Sequence, residues 1–371
     1  VAGFHFFNPV PLMKIVEVID GLLTAPWAAD ALLALGGRMG HTAVRAKDTP
    51  GFIVNHAGRG FVTEALRVLG EGIADFREVD CIMREAAGFR MGPFELMDLT
   101  GLDVSQPVME SIYHQYYQEA RYRPSPIAAQ RLTGGLLGRK TGRGFYDYAD
   151  GKAVAIPAMA PPAALPGRVW VSQTHPEWAD RLRDIAAAAG VAVESDYVPG
   201  SDALCIVTPL GADVTTSCVQ QGLDPQRTVG IDCLFGTTAG KGARRSLMTT
   251  PLTTPAMRDA AHALFAADGT PVSMIRDSAG FVAQRIVACI VNIGCDIAQQ
   301  RIASPADIDS AVRLGLGYPH GPLAFGDALG ARNVLAVLET MQDFYGDPRY
   351  RPSPWLKRRA LLGVSLLTEE R

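Results

Sequence analysis

The first twenty residues are mostly apolar, yet two titratable side chains, His5 and Glu17, lie directly between apolar neighbours. A carboxylate between Val16 and Val18 in an apolar strand loses on the order of several kcal/mol of hydration unless a donor or a cation meets it. A strand that turns back on the one carrying His5 would bring the two groups together. The carboxylate would then fix the imidazole tautomer and stabilise the imidazolium, and the other ring nitrogen would accept a proton from a substrate. The sequence thus suggests a general-base pair.

A second interpretation fits the same spacing. His5 would be a buried histidine bonded to the backbone, and Glu17 would lie at a strand edge without contacting it. Spacing alone does not decide between the two.

Apolar periodicity indicates the elements that would hold these groups. Two long helices and two shorter ones are predicted at Phe52–Ile73, Phe281–Gln300, Val79–Ala87 and Ile308–Leu314. Short apolar strands are predicted at Arg168–Gln173, Ala203–Leu210 and Thr228–Phe235, with a helix at Pro176–Ala189. This order favours βαβ units on a parallel sheet.

An internal repeat organises the chain. The segment KDTPGFIVN at 47–55 recurs as RDSAGFVAQ at 276–284, and the match continues at a constant offset of 229 residues. After a one-residue deletion the hexapeptide RYRPSP also occurs twice. The matched positions are Asp80 with Asp309, Gly92-Pro93 with Gly321-Pro322, Asp98 with Asp327, and Gly101 with Gly330. We infer a duplication with two helical domains, A and B.

The predicted fold class is mainly α with α/β portions: two helical domains in tandem, separated by a degenerate Rossmann-like α/β domain. A proline- and alanine-rich stretch suits a linker between them. The expected units are 1–46, the end of a nucleotide-binding domain that carries the base; 47–150, helical domain A; 151–167, linker; 168–275, the Rossmann-like domain; and 276–371, helical domain B.

Composition limits the function classes. Lys plus Arg number 35 against 38 for Asp plus Glu, so no single-sign field exists to capture nucleic acid or an anionic membrane. The six cysteines show neither metal-binding nor disulfide-scaffold spacing, so no metal site is expected. No apolar run approaches the roughly 18 to 20 residues that span a bilayer, and no signal peptide is evident. We expect a cytoplasmic protein.

Three motifs, HFFNPVPLMKIVEV, DTPGFIVN and GPFELMDLTGLD, closely resemble the 3-hydroxyacyl-CoA dehydrogenases of β-oxidation-type pathways. The resemblance runs from Val1 to about Tyr148 and implies that each helical domain is of this family's C-terminal type. It also implies NAD as cofactor, an acyl-CoA substrate, and oxidation of (3S)-3-hydroxyacyl-CoA to 3-oxoacyl-CoA. The tandem arrangement resembles longer bacterial members that are associated with phenylacetate catabolism and act on 3-hydroxyadipyl-CoA or 3-hydroxybutyryl-CoA.

Family motifs assign roles to five residues. The resemblance implies that His5 is the catalytic base and Glu17 its orienting partner, that Asn8 lies by the nicotinamide, that Asn55 contacts the substrate oxygen, and that Lys140 contacts the cofactor. Local chemistry alone offers simpler interpretations for three of them. Asn8 precedes a proline in a turn, Asn55 could cap a helix, and Lys140 could be a solvated lysine beside a glycine turn.

The second copy has lost the polar groups. His5 aligns with Asp232, Asn8 with Phe235 and Asn55 with Gln284, and no acid stands in for Glu17. We therefore expect domain B to be structural and to pack on domain A about a pseudo-twofold axis, as two subunits would. A homo-oligomer of the whole chain is a further expectation.

The chain departs from the family at the cofactor. No GxGxxG element occurs: GKGARR at 240–245 and GLGYPH at 315–320 each lack the third glycine, and SQTHPEW after the Arg168–Gln173 strand carries a proline and bulky groups. The sequence suggests that most of the N-terminal NAD-binding domain is missing and that this chain alone is inactive. The alternative is a non-enzymatic module for oligomerisation or acyl-CoA binding.

Overall fold

Two α/β layers each lead into a bundle of helices. The computed structural model describes residues 1–155, 160–236 and 243–370. The first half contains β1 Gly3–Phe6, β2 Ile15–Asp20, α1 Pro26–Arg38, β3 Thr42–Lys47, α2 Val54–Ala57, α3 Arg59–Gly70, α4 Phe76–Glu85, α5 Pro93–Thr100, α6 Leu102–Gln115, α7 Pro126–Thr133, β4 Tyr148–Ala149 and β5 Lys152–Ala153.

The second half begins with a larger α/β layer. Its elements are β6 Arg168–Val171, α8 Pro176–Ala188, β7 Ala192–Val193, β8 Leu204–Val207, α9 Val214–Gln220, β9 Thr228–Ile231, β10 Arg245–Thr249, α10 Pro255–Ala266 and β11 Val272–Ile275. The second bundle follows with α11 Val282–Gln299, α12 Pro305–Leu316, α13 Pro322–Leu329, α14 Ala331–Tyr345 and α15 Pro354–Leu362.

The first sheet has three strands in the order β1-β2-β3. Strand β2 turns back antiparallel to β1, with His5 directly opposite Glu17, and β3 is parallel to β2. This is the returning strand on which the general-base hypothesis depends. Residues directly opposite in such a pair have their Cβ atoms on the same face of the sheet, within reach of each other.

The second sheet has six strands in the order β11-β10-β9-β8-β6-β7. Strands β6, β7, β8 and β9 are parallel, as the sequence predicted for this region, and β10 is antiparallel to β9 but parallel to β11. The order β9-β10-β11 repeats that of β1-β2-β3 with the same strand directions. The strands are shorter than predicted, and β7, β10 and β11 lay outside the sequence-based prediction.

One predicted helix is broken in the structure. The sequence predicted a single helix at Phe52–Ile73, but α2 and α3 are separated at Gly58, whereas the corresponding α11 runs unbroken through its 18 residues. At this junction the guanidinium of Arg59 donates to the Asn55 carbonyl at 2.9 Å. The helix also begins late, since Phe52 has a φ of 48°.

The two shorter helices begin earlier than periodicity predicted, because their N-caps lie upstream. Asp75 accepts from the amides of Arg77 and Glu78 at the start of α4. Ser304 accepts from the amide of Asp307 at the start of α12. Short polar side chains at these positions satisfy amides that the first turn leaves unpaired.

Buried aspartates support the Gly-Pro turns of both bundles. The two carboxylate oxygens of Asp80 accept from the amides of Phe94 and Glu95, at 2.9 and 3.0 Å respectively. Asp309 holds the amides of Leu323 and Ala324 in the same way, both at 2.8 Å. A Cβ at the glycine of either turn would overlap the carboxylate, which explains the glycine there.

Part of the expected linker is structured. Residues Lys152–Ala153 form β5 and pair with β4, so the predicted boundary at 151 cuts a short hairpin. Residues 156–159 of this linker, and 240–242 of the GKGARR segment, lie outside the described residues. Of the latter segment, Arg245 begins strand β10.

Helix α11 lies at the centre of the molecule and packs against α3, α13, α14 and α15. Among the described residues it is the one helix long and apolar enough to cross a membrane, although sequence inspection had found no such run. Inside the protein 89% of it is buried, as in a core helix. Five of the six cysteines are buried, Cys81 is half-buried, and all are free thiols.

Reciprocal contacts join the two halves. The amide of Lys47 donates to the Ile302 carbonyl at 2.8 Å, and the amide of Arg276 donates to the Ile73 carbonyl at 3.0 Å. In both bonds the donor and acceptor exchange places under the 229-residue offset. The arginines of RYRPSP do the same at an offset of 228 residues: Arg121 donates to the carbonyl of Arg351, and Arg349 to that of Arg123.

Candidate active site

The carboxylate of Glu17 links the first sheet to the first bundle. One of its oxygens lies 2.7 Å from Nδ1 of His5. The other accepts from the backbone amides of Ile53 and Val54 at 2.9 and 3.0 Å. Glu17 is fully buried, whereas the His5 side chain is 33% exposed. Three donors therefore replace the water that this carboxylate loses on burial.

The geometry defines how His5 can act. An ionised carboxylate can only accept hydrogen bonds, so Nδ1 of His5 carries the proton and Nε2 is left as the acceptor. The aromatic rings of Phe7 and Phe52 lie edge-on to the imidazole, with centroids 4.7 and 5.5 Å away. A partly exposed imidazole with a buried acid behind it has the arrangement of a general base.

The turn before α2 requires glycine. Gly51 has a φ of +80°, and a Cβ there would lie 2.8 Å from the His56 amide nitrogen and 2.9 Å from the side chain of Ile112. The close approach sets the direction in which the chain enters α2. It thereby fixes the two amides that Glu17 holds.

Asn55 follows directly after those two amides. It is half-buried in the single turn of α2, and its carbonyl accepts from Arg59. One carboxylate thus positions both the imidazole of His5 and the helix turn that carries the Asn55 amide.

The other two predicted residues lie in a turn and at a helix junction. Asn8 is exposed in the turn after β1, before the cis peptide to Pro9. Lys140 pairs with Asp103 at 2.6 Å and lies against Gly101. These contacts place Lys140 at the junction of α5 and α6 and not beside His5 or Glu17.

Sequence inspection missed a buried histidine next to Asn55. His56 is fully buried, and its ring nitrogens lie 2.7 Å from the Tyr122 hydroxyl and 3.2 Å from the Tyr116 hydroxyl. Burial, together with Arg59 and Arg121, lowers the pKa of His56 to about 3, so it is uncharged at neutral pH. The repeat offered a sequence signal for this position, because the residue that aligns with His56 in the second copy is the charged Arg285.

The aligned positions of the second copy form a different contact. The amide of Gln284 donates to Asp232 at 2.9 Å, and its oxygen accepts from the amide of Gly211. Burial raises the pKa of Asp232 to about 7. Asp232 lies at the His5 position and Gln284 at the Asn55 position, so an acid and an amide replace a base and an amide.

The described residues offer no obvious cradle for a pyrophosphate. The turn after β6, where a dinucleotide-binding fold would hold it, is closed by side chains: the buried Ser172 hydroxyl donates to Gln221 at 2.6 Å and lies 2.9 Å from the Thr174 hydroxyl. In the first half, α1 begins at a proline after Ala25 rather than at a glycine turn. Among the described residues, neither turn thus presents a glycine-lined helix start for the phosphates of NAD.

Comparison with known proteins shows the family of this chain. The profile of the 3-hydroxyacyl-CoA dehydrogenase C-terminal domain matches residues 51–148 and again 280–365, and that of the 3-hydroxyacyl-CoA dehydrogenase NAD binding domain matches residues 1–49. A 3-hydroxyadipyl-CoA dehydrogenase of Escherichia coli is 37% identical over 365 residues, covering 98% of this chain and 70% of the relative. The chain belongs to the 3-hydroxyacyl-CoA dehydrogenase family.

Two further relatives extend the comparison. The crystal structure of a 3-hydroxybutyryl-CoA dehydrogenase from Escherichia coli superposes with a TM-score of 0.79 at 35% identity, covering 98% of this chain and 70% of that one. A probable 3-hydroxybutyryl-CoA dehydrogenase of Bacillus subtilis is 42% identical over 150 residues, which is 40% of this chain and 52% of the relative. The chain therefore spans 70% of its longer relatives and about half of the shorter one.

Family membership makes the chain an oxidoreductase of an NAD-dependent family. Because the NAD-binding-domain profile matches residues 1–49, the expectation that this domain is mostly missing is not supported.

Proposed function

We propose that this chain oxidises the 3-hydroxyl group of (3S)-3-hydroxyacyl-CoA, with His5 as the general base and Glu17 as its positioning partner. The observation that carries the proposal is the 2.7 Å contact between Nδ1 of His5 and the buried Glu17 carboxylate. Nε2 would take the hydroxyl proton, and Glu17 would stabilise the imidazolium that forms. NAD, when bound, supplies the hydride acceptor.

Asn55 is the proposed donor to the substrate oxygen. As the alcohol becomes a ketone, its oxygen loses the proton and develops partial negative charge. A neutral amide donor stabilises that charge. Support comes from the position of Asn55 directly after the amides that Glu17 holds. We propose that Asn8 lies near the nicotinamide. For Lys140 the pairing with Asp103 favours a structural interpretation over cofactor contact.

The proposed substrates are CoA thioesters of 3-hydroxy acids. The names of the relatives suggest 3-hydroxyadipyl and 3-hydroxybutyryl chains as first candidates.

We also propose that the chain contains two tandem copies of one helical domain, which pack as an internal pseudo-dimer. Helices α5 and α13 begin and end at residues 229 apart, and the reciprocal amide bonds of Lys47 and Arg276 support a pseudo-twofold axis. The second copy would be structural, since Asp232 and Gln284 bond to each other.

The deciding experiment measures turnover and binding on the same preparation. NADH and acetoacetyl-CoA are titrated separately, and NADH oxidation is followed with both present. We expect turnover that His5→Gln reduces about 10²- to 10⁴-fold, while acetoacetyl-CoA binding is retained. His114→Gln, at an exposed position on α6, is the matched control.

A binding module gives a different result. Acetoacetyl-CoA binding without any turnover, and without an effect of His5→Gln, would support the non-enzymatic alternative. Absence of NADH binding with intact acyl-CoA binding would contradict the proposed oxidation by this chain.

A further inference from the structure

A fully buried ion pair joins the two bundles. The Nη2 and Nε atoms of Arg285 on α11 lie 2.7 and 2.9 Å from one carboxylate oxygen of Glu64 on α3, and neither side chain is exposed. Tyr350 donates to the same oxygen at 2.8 Å. Burial opposes the charge of Arg285, but Glu64 and its neighbours outweigh this effect and raise its pKa well above the ordinary value. Neither charge could remain in place without the other.

The repeat does not reproduce this pair. The position of Arg285 is occupied in domain A by His56, and the position of Glu64 is occupied in domain B by Ile293. Both counterparts are buried, and neither carries charge at neutral pH, because burial holds the pKa of His56 at about 3. An interface between two copies of one domain would ordinarily be self-complementary. This pair is complementary only between different copies.

Pairing of two B domains would leave buried charge without a partner. Two A domains would place each Glu64 against an uncharged His56, but Arg349, which lies 3.6 Å from Glu64, corresponds to Arg121 in domain A, so a cation would remain. Two B domains would place each Arg285 against Ile293, and against Gln300 where the present interface has Glu71, which lies 2.8 Å from Arg285.

A second set of ion pairs crosses the interface without selecting the partner. Arg121 of domain A lies 2.7 Å from Asp296 of domain B, and Arg67 of domain A lies 2.6 Å from Asp347 of domain B. Asp347 corresponds to Glu119 and Arg349 to Arg121, so like pairing would still bring Arg67 against Glu119 and Asp296 against Arg349.

We propose that the buried charge of Arg285 determines the pairing, so that the face of domain B accepts domain A and rejects a second domain B. The partner that fits this surface is thus the other half of the same chain. The inference rests on the proposed equivalence of the two copies and not on the proposed chemistry.

The test makes the two faces alike. Arg285→His gives both copies histidine at this position, and Glu64→Ile gives both copies isoleucine. Each single variant strands a buried charge, so we expect its folding equilibrium constant to fall by about 10²- to 10³-fold. The double variant carries no charge at these positions, and it should regain most of the lost melting temperature.

The double variant also tests whether the buried charges select the partner domain. Chains labelled with heavy isotopes are refolded together with unlabelled chains. Native mass spectrometry then counts the dimers that contain one chain of each kind. We expect mixed dimers, exchanged through like pairing, to increase at least about tenfold over wild type. Neutralising the exposed pair Glu339 and Lys357, 2.8 Å apart, is the control and should change neither readout.

Two outcomes would overturn the proposal. One is a double variant as unstable as the two single effects added together, which would show that the charges do not act as a pair. The other is a stable double variant whose oligomers match wild type, which would show that the pair does not select the partner. Neither readout uses turnover, so failure of the catalytic proposal would be a separate result.

Discussion

The side chain of Gln284 donates a 2.9 Å hydrogen bond to the carboxylate of Asp232, at the two positions that align with Asn55 and His5. In the first half, the buried acid Glu17 stands behind the imidazole of His5. In the second half, a buried acid has taken the place of the imidazole itself. The same framework thus holds a proposed proton acceptor in one copy and a closed hydrogen-bonded pair in the other.

The Asp232 pair predicts a pH-dependent stability. Burial raises the pKa of Asp232 from 3.8 to about 7, so between these values the folded state binds more protons than the unfolded state. Stability from this group is present at pH 4 and is lost as the pH rises through 7, by up to about 4 kcal/mol. Urea denaturation from pH 4 to 8 should show this fall in wild type but not in Asp232→Asn. Parallel curves for the two proteins would refute it.

Burial of His56 predicts the opposite dependence of stability on pH. Burial lowers its pKa from 6.5 to about 3, so the unfolded state binds more protons in this range. Its contribution is present above pH 6.5 and is lost as the pH falls toward 3, by up to about 5 kcal/mol. His56→Gln retains a polar group for Tyr116 and Tyr122, and it should flatten the acid side of the curve. The exposed His114→Gln serves as control, and an equal flattening there would contradict the assignment.

Glu17 has two functions that substitution should separate. The oxygen of a glutamine can still accept from the amides of Ile53 and Val54, but its NH₂ group would face Nδ1 of His5 and favour the wrong tautomer. We expect Glu17→Gln to lower kcat about 10²-fold or more with a small change in melting temperature. Glu17→Ala should also destabilise by about 3 kcal/mol, because two buried amides lose their acceptor. Equal losses of kcat and stability in both variants would leave Glu17 with a structural role alone.

Asn55 and Gln284 occupy aligned positions and should respond differently. Asn55→Ala removes the proposed donor to the substrate oxygen, and it should lower kcat about 10²- to 10³-fold while the fold persists. Gln284→Ala breaks buried bonds to Asp232 and Gly211, so it should lower the unfolding free energy by about 1–3 kcal/mol and leave kcat of the folded fraction unchanged. Steady-state kinetics and thermal melts of both variants test this contrast.

The close crossing of α3 and α11 makes a stability prediction. A Cβ at Gly60 would lie 2.9 Å from the Ile290 amide nitrogen, so Gly60→Val forces the two helices apart. We expect a loss of about 1–3 kcal/mol or more. Gly37→Ala in α1 is the matched control, because a Cβ there meets nothing within 4 Å and better helix propensity should stabilise slightly. A tolerated Gly60→Val would mean that the crossing can relax.

The sequence by itself determined the features that depend on local pattern or on repetition. The 229-residue offset predicted equivalent positions, and Asp80 and Asp309 do hold equivalent turns. The parallel strands of the second sheet also followed from pattern, because buried strands between amphipathic helices have a recognisable composition. The motifs named the family that the comparisons then showed.

Only the tertiary structure decided what distant segments do to each other. Sequence could suggest that Glu17 meets His5, but not that its second oxygen holds Ile53 and Val54, 36 and 37 residues away. Nor could it show that Glu64 and Arg285, 221 residues apart, share one buried site. Such contacts depend on how helices cross, and no local propensity encodes a crossing. A buried charge is stable only where the fold brings a partner to it.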